Sequence, residues 1–322
     1  MTGQALPTVL ALSGGVGGAK FALGLYRVLE SWSLGLIVNT GDDFEHFGLH
    51  IAPDIDTAVY TLSGNNNISQ GWGREGETWS FLEQLEQLGG STWFRLGDGD
   101  LAMHVRRTEL LRSGWSLSEV TDEIAHRFGL ELHIFPMSDD PVRTIVLTKE
   151  AGELPFQHYF VKRQCQDSVR GFRYDGAKES SPNAKVLEAL ENPALRAVFL
   201  CPSNPFVSIN PILSVPDIRE ALKSCKAPKI CVSPIVNGDS VRGPLGKMYR
   251  EMGKAVNHSS LEEHYGDFLS GMIMDSADAD QVHEATVPTF VTSIVMQSIE
   301  DRENLALEAL NFADSLARQN SS

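Results

Sequence analysis

Along the first third of the chain, short apolar runs alternate with stretches whose apolar residues recur at helical spacing. Residues 8–12 (TVLAL) read as a buried strand, and 19–31, with Phe21, Leu25 and Val28 on one face, read as a helix. Residues 34–39 (LGLIVN) supply the next strand, an order that predicts parallel pairing through a right-handed crossover. Helical spacing returns at 55–64, at 77–88 with a glycine stop, and at 101–114 and 116–129. The last stretch opens on Ser116 with Glu119 three residues on, a capping box. Residues 65–129 therefore read as a mainly helical insertion. Strand-like runs resume at 131–136, 143–148, 157–162, 197–201 and 229–233, and an amphipathic stretch at 303–319 reads as a closing helix with a frayed polar tail. No repeat or long linker intervenes. The expected architecture is α/β: a three-layer, Rossmann-like, mostly parallel sheet, with its core at about 8–64 and 130–300 and the helical insertion between.

Composition narrows the partners. The chain has 322 residues, 42% hydrophobic and 21% charged, enough for a sizeable soluble core. A formal net charge of −15 argues against a general nucleic-acid binder, which needs a basic face. It leaves room for a small phosphate-bearing ligand in a local basic pocket. Cys165, Cys201, Cys225 and Cys231 form no C-x-x-C pair and have no histidine at metal spacing, as expected of buried free thiols in a reducing compartment. The chain does not open on a basic and apolar leader, and no run nears the ~20 apolar residues of a spanning helix. A cytoplasmic protein without a membrane partner is expected.

The candidate chemistry starts at "SGGVGGAK", residues 13–20. The P-loop pattern fails, because Lys20 precedes Phe21 rather than a hydroxyl residue, and the dinucleotide fingerprint fails at the same lysine. The mechanism common to both survives: Gly14, Gly15, Gly17 and Gly18 let backbone approach an anion at a helix N-terminus, and Lys20 adds charge. The alternative is a tight strand–helix turn with no ligand. Next, "NTGDDFEHFGLHIAPDIDT" places Asp42, Asp43, Glu45, Asp54 and Asp56 where the second strand ends. Clustered carboxylates beside a phosphate cradle repel unless a cation bridges them, and Mg²⁺ suits such oxygens; the alternative is helix caps and solvated loop acids. Arg95 in "WFRLGDGDLAMH" either meets a flat polar ligand or pairs with an acid. Arg143, Asn204, Ser208, Ser233, Arg242 and Lys247 lie in three further strand-end loops, each a weak signal alone. Their convergence on one sheet edge points to a nucleotide site. No Ser-His-Asp or Cys-His arrangement is visible.

These segments resemble, in order, those of the CofD/FbiA family, the 2-phospho-L-lactate transferases of coenzyme F-420 biosynthesis. The motifs include "PDIDTAVYTLSG", "WGREGETW", "RLGDGDLAMHVRRTELLRSG", "FPMSDDPVRT", "CPSNPFVSINPIL" and "VSPIVNGDSVRGPLGKM", and the likeness spans about 8–300 as a single domain. The resemblance implies transfer of a phospho-(three-carbon acid) group from a guanosine diphosphate-linked donor to the deazaflavin Fo, releasing GMP and giving F-420-0 or an analogue. Donor acids in the family are lactyl, enolpyruvyl or 3-phosphoglyceryl. It further implies that Gly14 to Lys20 hold the diphosphate, with Arg143 and Lys247 as further phosphate partners. Asn204 and Ser208 would face the guanosine, Asp56 and Arg95 would meet Fo, and Asp42, Asp43 and Asp56 would bind Mg²⁺. Asp56, Asp42 and Lys20 are the expected catalytic residues, with Asp56 the expected base for the attacking hydroxyl. A homodimer is also implied. The alternative reading is a YvcK-like nucleotide-sugar-binding regulator, which shares the glycine loop; a nicotinamide oxidoreductase is a third. "PDIDT", "RLGDGD" and "SDDPVRT" favour the transferase.

Overall fold

A computed structural model of the chain describes residues 6–68, 72–266 and 268–320. The opening five residues and the end of the expected polar tail lie outside the described residues. Seven strands form the central sheet: β1 (Val9–Ser13), β2 (Leu34–Val38), β3 (His133–Pro136), β4 (Ala197–Leu200), β5 (Lys229–Val232), β6 (Gly271–Asp275) and β7 (Thr289–Thr292). Their order is β7-β6-β5-β4-β1-β2-β3, and every neighbouring pair is parallel. The chain builds outward from β1 in one direction, then returns to β4 and builds in the other. The switch point therefore lies between the carboxyl ends of β1 and β4, where open parallel sheets bind ligands.

The strands are apolar without alternation because both faces are covered. Val9 and Ala11 face one core, and Leu10 and Leu12 the other. The first core holds helices α1 (Gly15–Val28) and α2 (Pro53–Leu62) with the C-terminal helix Ile299–Asn320. Of the helices between, α3 (Ser80–Gln87) buries no residue, whereas α4 (Asp98–Arg112) and α5 (Leu117–Arg127) send Met103, Leu110, Val120 and Ile124 into that same core. The second core takes shorter helices lying between residues 184 and 265. The expected three layers are present. So is the capping box: the Ser116 side chain accepts from the Glu119 amide, and Glu119 accepts from the Ser116 amide.

Four elements differ from expectation. Residues 143–148 do form a strand, but in a separate antiparallel sheet with Glu153–Pro155 and Val169–Asp175. Residues 157–162 are helical rather than extended (His158–Lys162). A short apolar run fits either state; here Phe156 and Phe160 stack across one turn, at 5.2 Å between ring centroids, and Tyr159 is buried. Strands β6 (GMIMD) and β7 (TFVT) were not among the expected strands, although the β-branched and aromatic residues of TFVT favour that state.

Helix α1 and the C-terminal helix touch closely enough to require glycine. A Cβ on Gly24 would lie 2.1 Å from the Arg302 carbonyl oxygen. Gly24→Ala is expected to destabilise the fold by about 1–3 kcal/mol, despite alanine's better helix propensity. Urea unfolding measures this, and an unchanged midpoint would refute the contact.

Candidate active site

The glycines belong to the helix rather than to a loop before it: α1 starts at Gly15, with Gly14 as its extended N-cap. Gly17 and Gly18 are required by packing, since a Cβ on the former would meet the Pro202 carbonyl oxygen at 2.4 Å and on the latter Ser13 Oγ at 2.5 Å. Gly15 differs. Its φ is +65°, and the direction a Cβ would take is open, with no atom within 4 Å. A non-glycine residue is strained there, while the opening is free for a ligand.

Three neighbouring segments hold this turn. Ser203, after β4, donates its hydroxyl to the Gly14 carbonyl oxygen at 2.7 Å. Asp54, in the first turn of α2, accepts from the Gly15 amide and from Asn39 Nδ2, each at 2.8 Å. Asn39, at the exit of β2, also donates to the Val207 carbonyl oxygen at 3.2 Å. Burial, opposed by its bonds from Asn39 and Gly15, raises the Asp54 carboxyl to about 6. Ser203 and Asn39 had no part in the sequence-based site, although both lie inside its motifs, next to the residues chosen.

Asp42 and Asp43 lie in the turn after β2, both buried. Asp43 Oδ2 is 3.1 Å from His50 Nε2. Asp42 Oδ1, Asp43 Oδ1 and Thr40 Oγ1 are buried without a hydrogen-bond partner. Burial, then the nearby Asp54 charge, pushes the Asp42 carboxyl well above the usual carboxylate range. Orphaned buried oxygens are rare and ask for an explanation. These are hard oxygen donors, the kind that a magnesium ion takes, so the residues present fit that ion.

Asp56 is brought to a different set of partners. It is buried and gripped by Arg107, whose Nη2 donates to Oδ1 and whose Nη1 lies 3.3 Å from Oδ2. Arg107 Nη1 is also 3.1 Å from His104 Nδ1. A guanidinium only donates, so Nδ1 accepts and Nε2 carries the ring proton towards Asp100, 3.3 Å away. Tyr60 donates to Asp100 at 2.8 Å. Burial raises the Asp56 carboxyl, against the pull of Arg107 and His104. Asp56, Asp100 and His104 offer ligand atoms within 4.8 Å of one another, but Arg107 already stands among them as their counter-charge. His104 and Arg107 were missed as site residues because a lone histidine and an arginine on a helix carry no local signal.

The remaining candidates spread along the same edge. Arg95 lies over the Trp79 ring, 4.3 Å from its centroid. Both line a cavity of about 230 Å³ with Trp72, Arg74, Glu77 and Asp100. Ser208 is buried against Gly14. Asn204 caps its own turn, accepting from the Phe206 amide at 2.9 Å. Arg143 donates to the Val142 carbonyl oxygen at 2.7 Å and lines a second cavity with Thr40, Asp43 and His50. Lys247 is engaged away from the glycine turn, by the Asp167 carbonyl oxygen at 2.7 Å and by Glu251 at 2.8 Å. Lys20 donates to the Met296 carbonyl oxygen at 3.2 Å. All four cysteines are free thiols, three of them buried. Among the described residues no helix is long and apolar enough to cross a membrane.

A seven-stranded parallel sheet with a glycine-started helix at its switch point defines a Rossmann-like α/β protein. The family model for the 2-phospho-L-lactate transferase CofD matches residues 9–307, and the chain belongs to that family of transferases. It is 38% identical over 314 residues to a phosphoenolpyruvate transferase of Streptomyces griseus, covering 95% of this chain and 98% of that one. It is 36% identical over 311 residues to a 2-phospho-L-lactate transferase of Methanocaldococcus jannaschii, covering 96% and 99%. A crystal structure of a UPF0052-family protein from Bacillus halodurans superposes with a TM-score of 0.64, covering 96% of this chain and 100% of that one. At 15% identity this last likeness shows the fold alone.

Proposed function

We propose that this enzyme transfers a phospho-(three-carbon acid) group from a guanosine diphosphate-linked donor to the deazaflavin Fo, in coenzyme F-420 biosynthesis. The terminal ribityl hydroxyl of Fo attacks the distal phosphorus. The bond from that phosphorus to the bridging oxygen breaks, GMP leaves with the electron pair, and the hydroxyl proton is released. Such chemistry asks for positioning and charge neutralisation rather than a covalent partner. The observation that carries the reading is the set of unpartnered buried oxygens of Thr40, Asp42 and Asp43 beside the glycine turn. Asp42 and Asp43 are the residues to hold magnesium, which when bound offsets the negative charge of the transferring group.

The other roles follow placement. The open Gly15 turn and Lys20 receive the diphosphate. The Trp79–Arg95 wall suits a flat polar ring system, and we assign it to Fo. His104 stands between Asp56 and that cavity, its Nδ1 3.7 Å from Asp56 Oδ2 and its Nε2 3.3 Å from Asp100 Oδ2. Because Arg107 holds both its oxygens, Asp56 serves as a fixed charge more readily than as a base or metal ligand; Asp56→Asn, assayed for turnover, decides between these roles. The protein is proposed to act as a cytoplasmic homodimer on small molecules.

The test is incubation of purified protein with Fo, Mg²⁺ and, in turn, the lactyl, enolpyruvyl and 3-phosphoglyceryl donors. GMP and an F-420-0-type product, read by mass spectrometry, are expected with one donor, which identifies the acid. Absence of product with all three, together with stabilisation by a nucleotide sugar, would reject the transferase reading in favour of a regulator.

A further inference from the structure

His50 meets the acidic turn from the returning strand of a hairpin. Phe44–His46 and Leu49–Ile51 pair antiparallel and reverse at Phe47 and Gly48, whose φ values are +54° and +70°. That tight reversal brings residue 50 back towards residue 43. Two groups of α4 fix the His50 backbone: its amide donates to Thr108 Oγ1 at 2.8 Å, and Arg107 Nη1 lies 3.4 Å from its carbonyl oxygen. The imidazole reaches Asp43 instead, with Nε2 3.1 Å from Oδ2. A carboxylate only accepts, so Nε2 carries the proton. The other Asp43 oxygen, Oδ1, has no partner among the described residues, and neither has Thr40 Oγ1. Thr40, Asp43 and His50 line one cavity of about 220 Å³ with Asp139, Asp140 and Arg143. The two further acids of that wall are already engaged: Asp139 accepts from the Ser118 amide at 2.7 Å and Asp140 from the Ser181 amide at 2.8 Å. At ~30 Å³ for each water, the cavity has room for an ion that keeps several waters of its own, as magnesium does.

We infer that His50 is the positioning residue of the magnesium site: by donating to Asp43 Oδ2 it fixes the carboxylate and leaves Oδ1 as the oxygen for the ion. A ligating carboxylate whose other oxygen is already held has less freedom to lose on binding, and outer hydrogen bonds of this kind are worth about 10–100-fold in metal affinity. The inference rests on the magnesium reading above.

The experiment compares wild type, His50→Leu and His50→Gln at one pH. Magnesium is titrated into the whole metal-free protein by calorimetry, and metal-free melting temperatures are taken alongside. His50→Leu is expected to bind magnesium about 10–100-fold more weakly. Its metal-free melting temperature should stay close to wild type, because the His50 side chain is 24% exposed and the backbone bonds to Thr108 and Arg107 do not need it. Glutamine carries an amide donor on a side chain of similar reach, so His50→Gln should recover most of the affinity. Excess magnesium should return the His50→Leu rate towards wild type, whereas Asp43→Asn stays slow. His50→Leu binding magnesium as tightly as wild type overturns the inference and leaves the magnesium site standing. So do equal losses in both variants, which would make the shape of the imidazole rather than its proton the cause, and a His50→Leu rate that stays low at saturating magnesium. A wild type that takes up no magnesium rejects the site itself, and the inference with it.

Discussion

Asp42→Asn, and separately Asp43→Asn, should lower the rate of product formation by about 10²–10³-fold, the scale seen when one fixed electrostatic partner is removed from a reacting centre. Both carboxylates are buried with an oxygen that no protein group satisfies. An amide keeps the shape and loses the charge, so excess magnesium should not restore the rate. The metal-free protein should meanwhile be as stable as wild type or more so at neutral pH, because burial and the Asp54 charge already disfavour an ionised Asp42. The same logic fixes the pH dependence. Asp54 titrates near 6 in the folded protein, above its ordinary 3.8. Between those values Asp54 binds more protons in the native state than in the unfolded one, so its contribution to metal-free stability is full below the window and is lost as pH rises through it. Magnesium, binding deprotonated neighbours, should stabilise more at pH 8 than at pH 5. Thermal melts at the two pH values, with and without magnesium, check this; equal magnesium shifts would contradict the assigned site.

Arg107→Met should cost about 3–5 kcal/mol of stability, the range for stranding one partner of a buried ion pair. Arg107 and Asp56 are both nearly inaccessible, and Arg107 also donates towards His104. Without the guanidinium, the Asp56 carboxylate faces burial with only His104 near it. Adding Asp56→Asn to Arg107→Met should recover part of the loss, since the uncompensated charge is then removed. Urea unfolding of the single and double variants reads both steps, and a double variant no more stable than Arg107→Met alone would show that the cost is packing rather than charge.

How much of this was legible beforehand varies with the range of the interaction. Residues 8–12 and 34–39 announced themselves as buried strands because both faces of a covered parallel sheet are apolar, and the observed β1 and β2 lie within one residue of those bounds. Ser116 and Glu119 announced a helix start because a capping box is local chemistry. The glycine cluster announced close backbone approach. Its partners at Gly17 and Gly18, however, are Pro202, Ser13 and Ser203, and two of these lie far along the chain.

Local pattern alone thus determined the α/β class, the order of its first elements and the segments from which a site would be drawn. Periodicity, caps and turn residues act within a few positions of one another, and the sequence displays them directly. Only the tertiary structure decided which of the acids remain free. Asp42, Asp43, Asp54 and Asp56 look equivalent as letters. Folding gives Asp54 to the Gly15 amide and Asn39, gives Asp56 to Arg107, and leaves Asp42 and Asp43 with unsatisfied oxygens. It also brings the last helix against the first, where the Arg302 carbonyl oxygen meets Gly24. Each of those outcomes depends on which groups meet after the chain has crossed the sheet, on how deeply they are buried, and on what charge stands beside them.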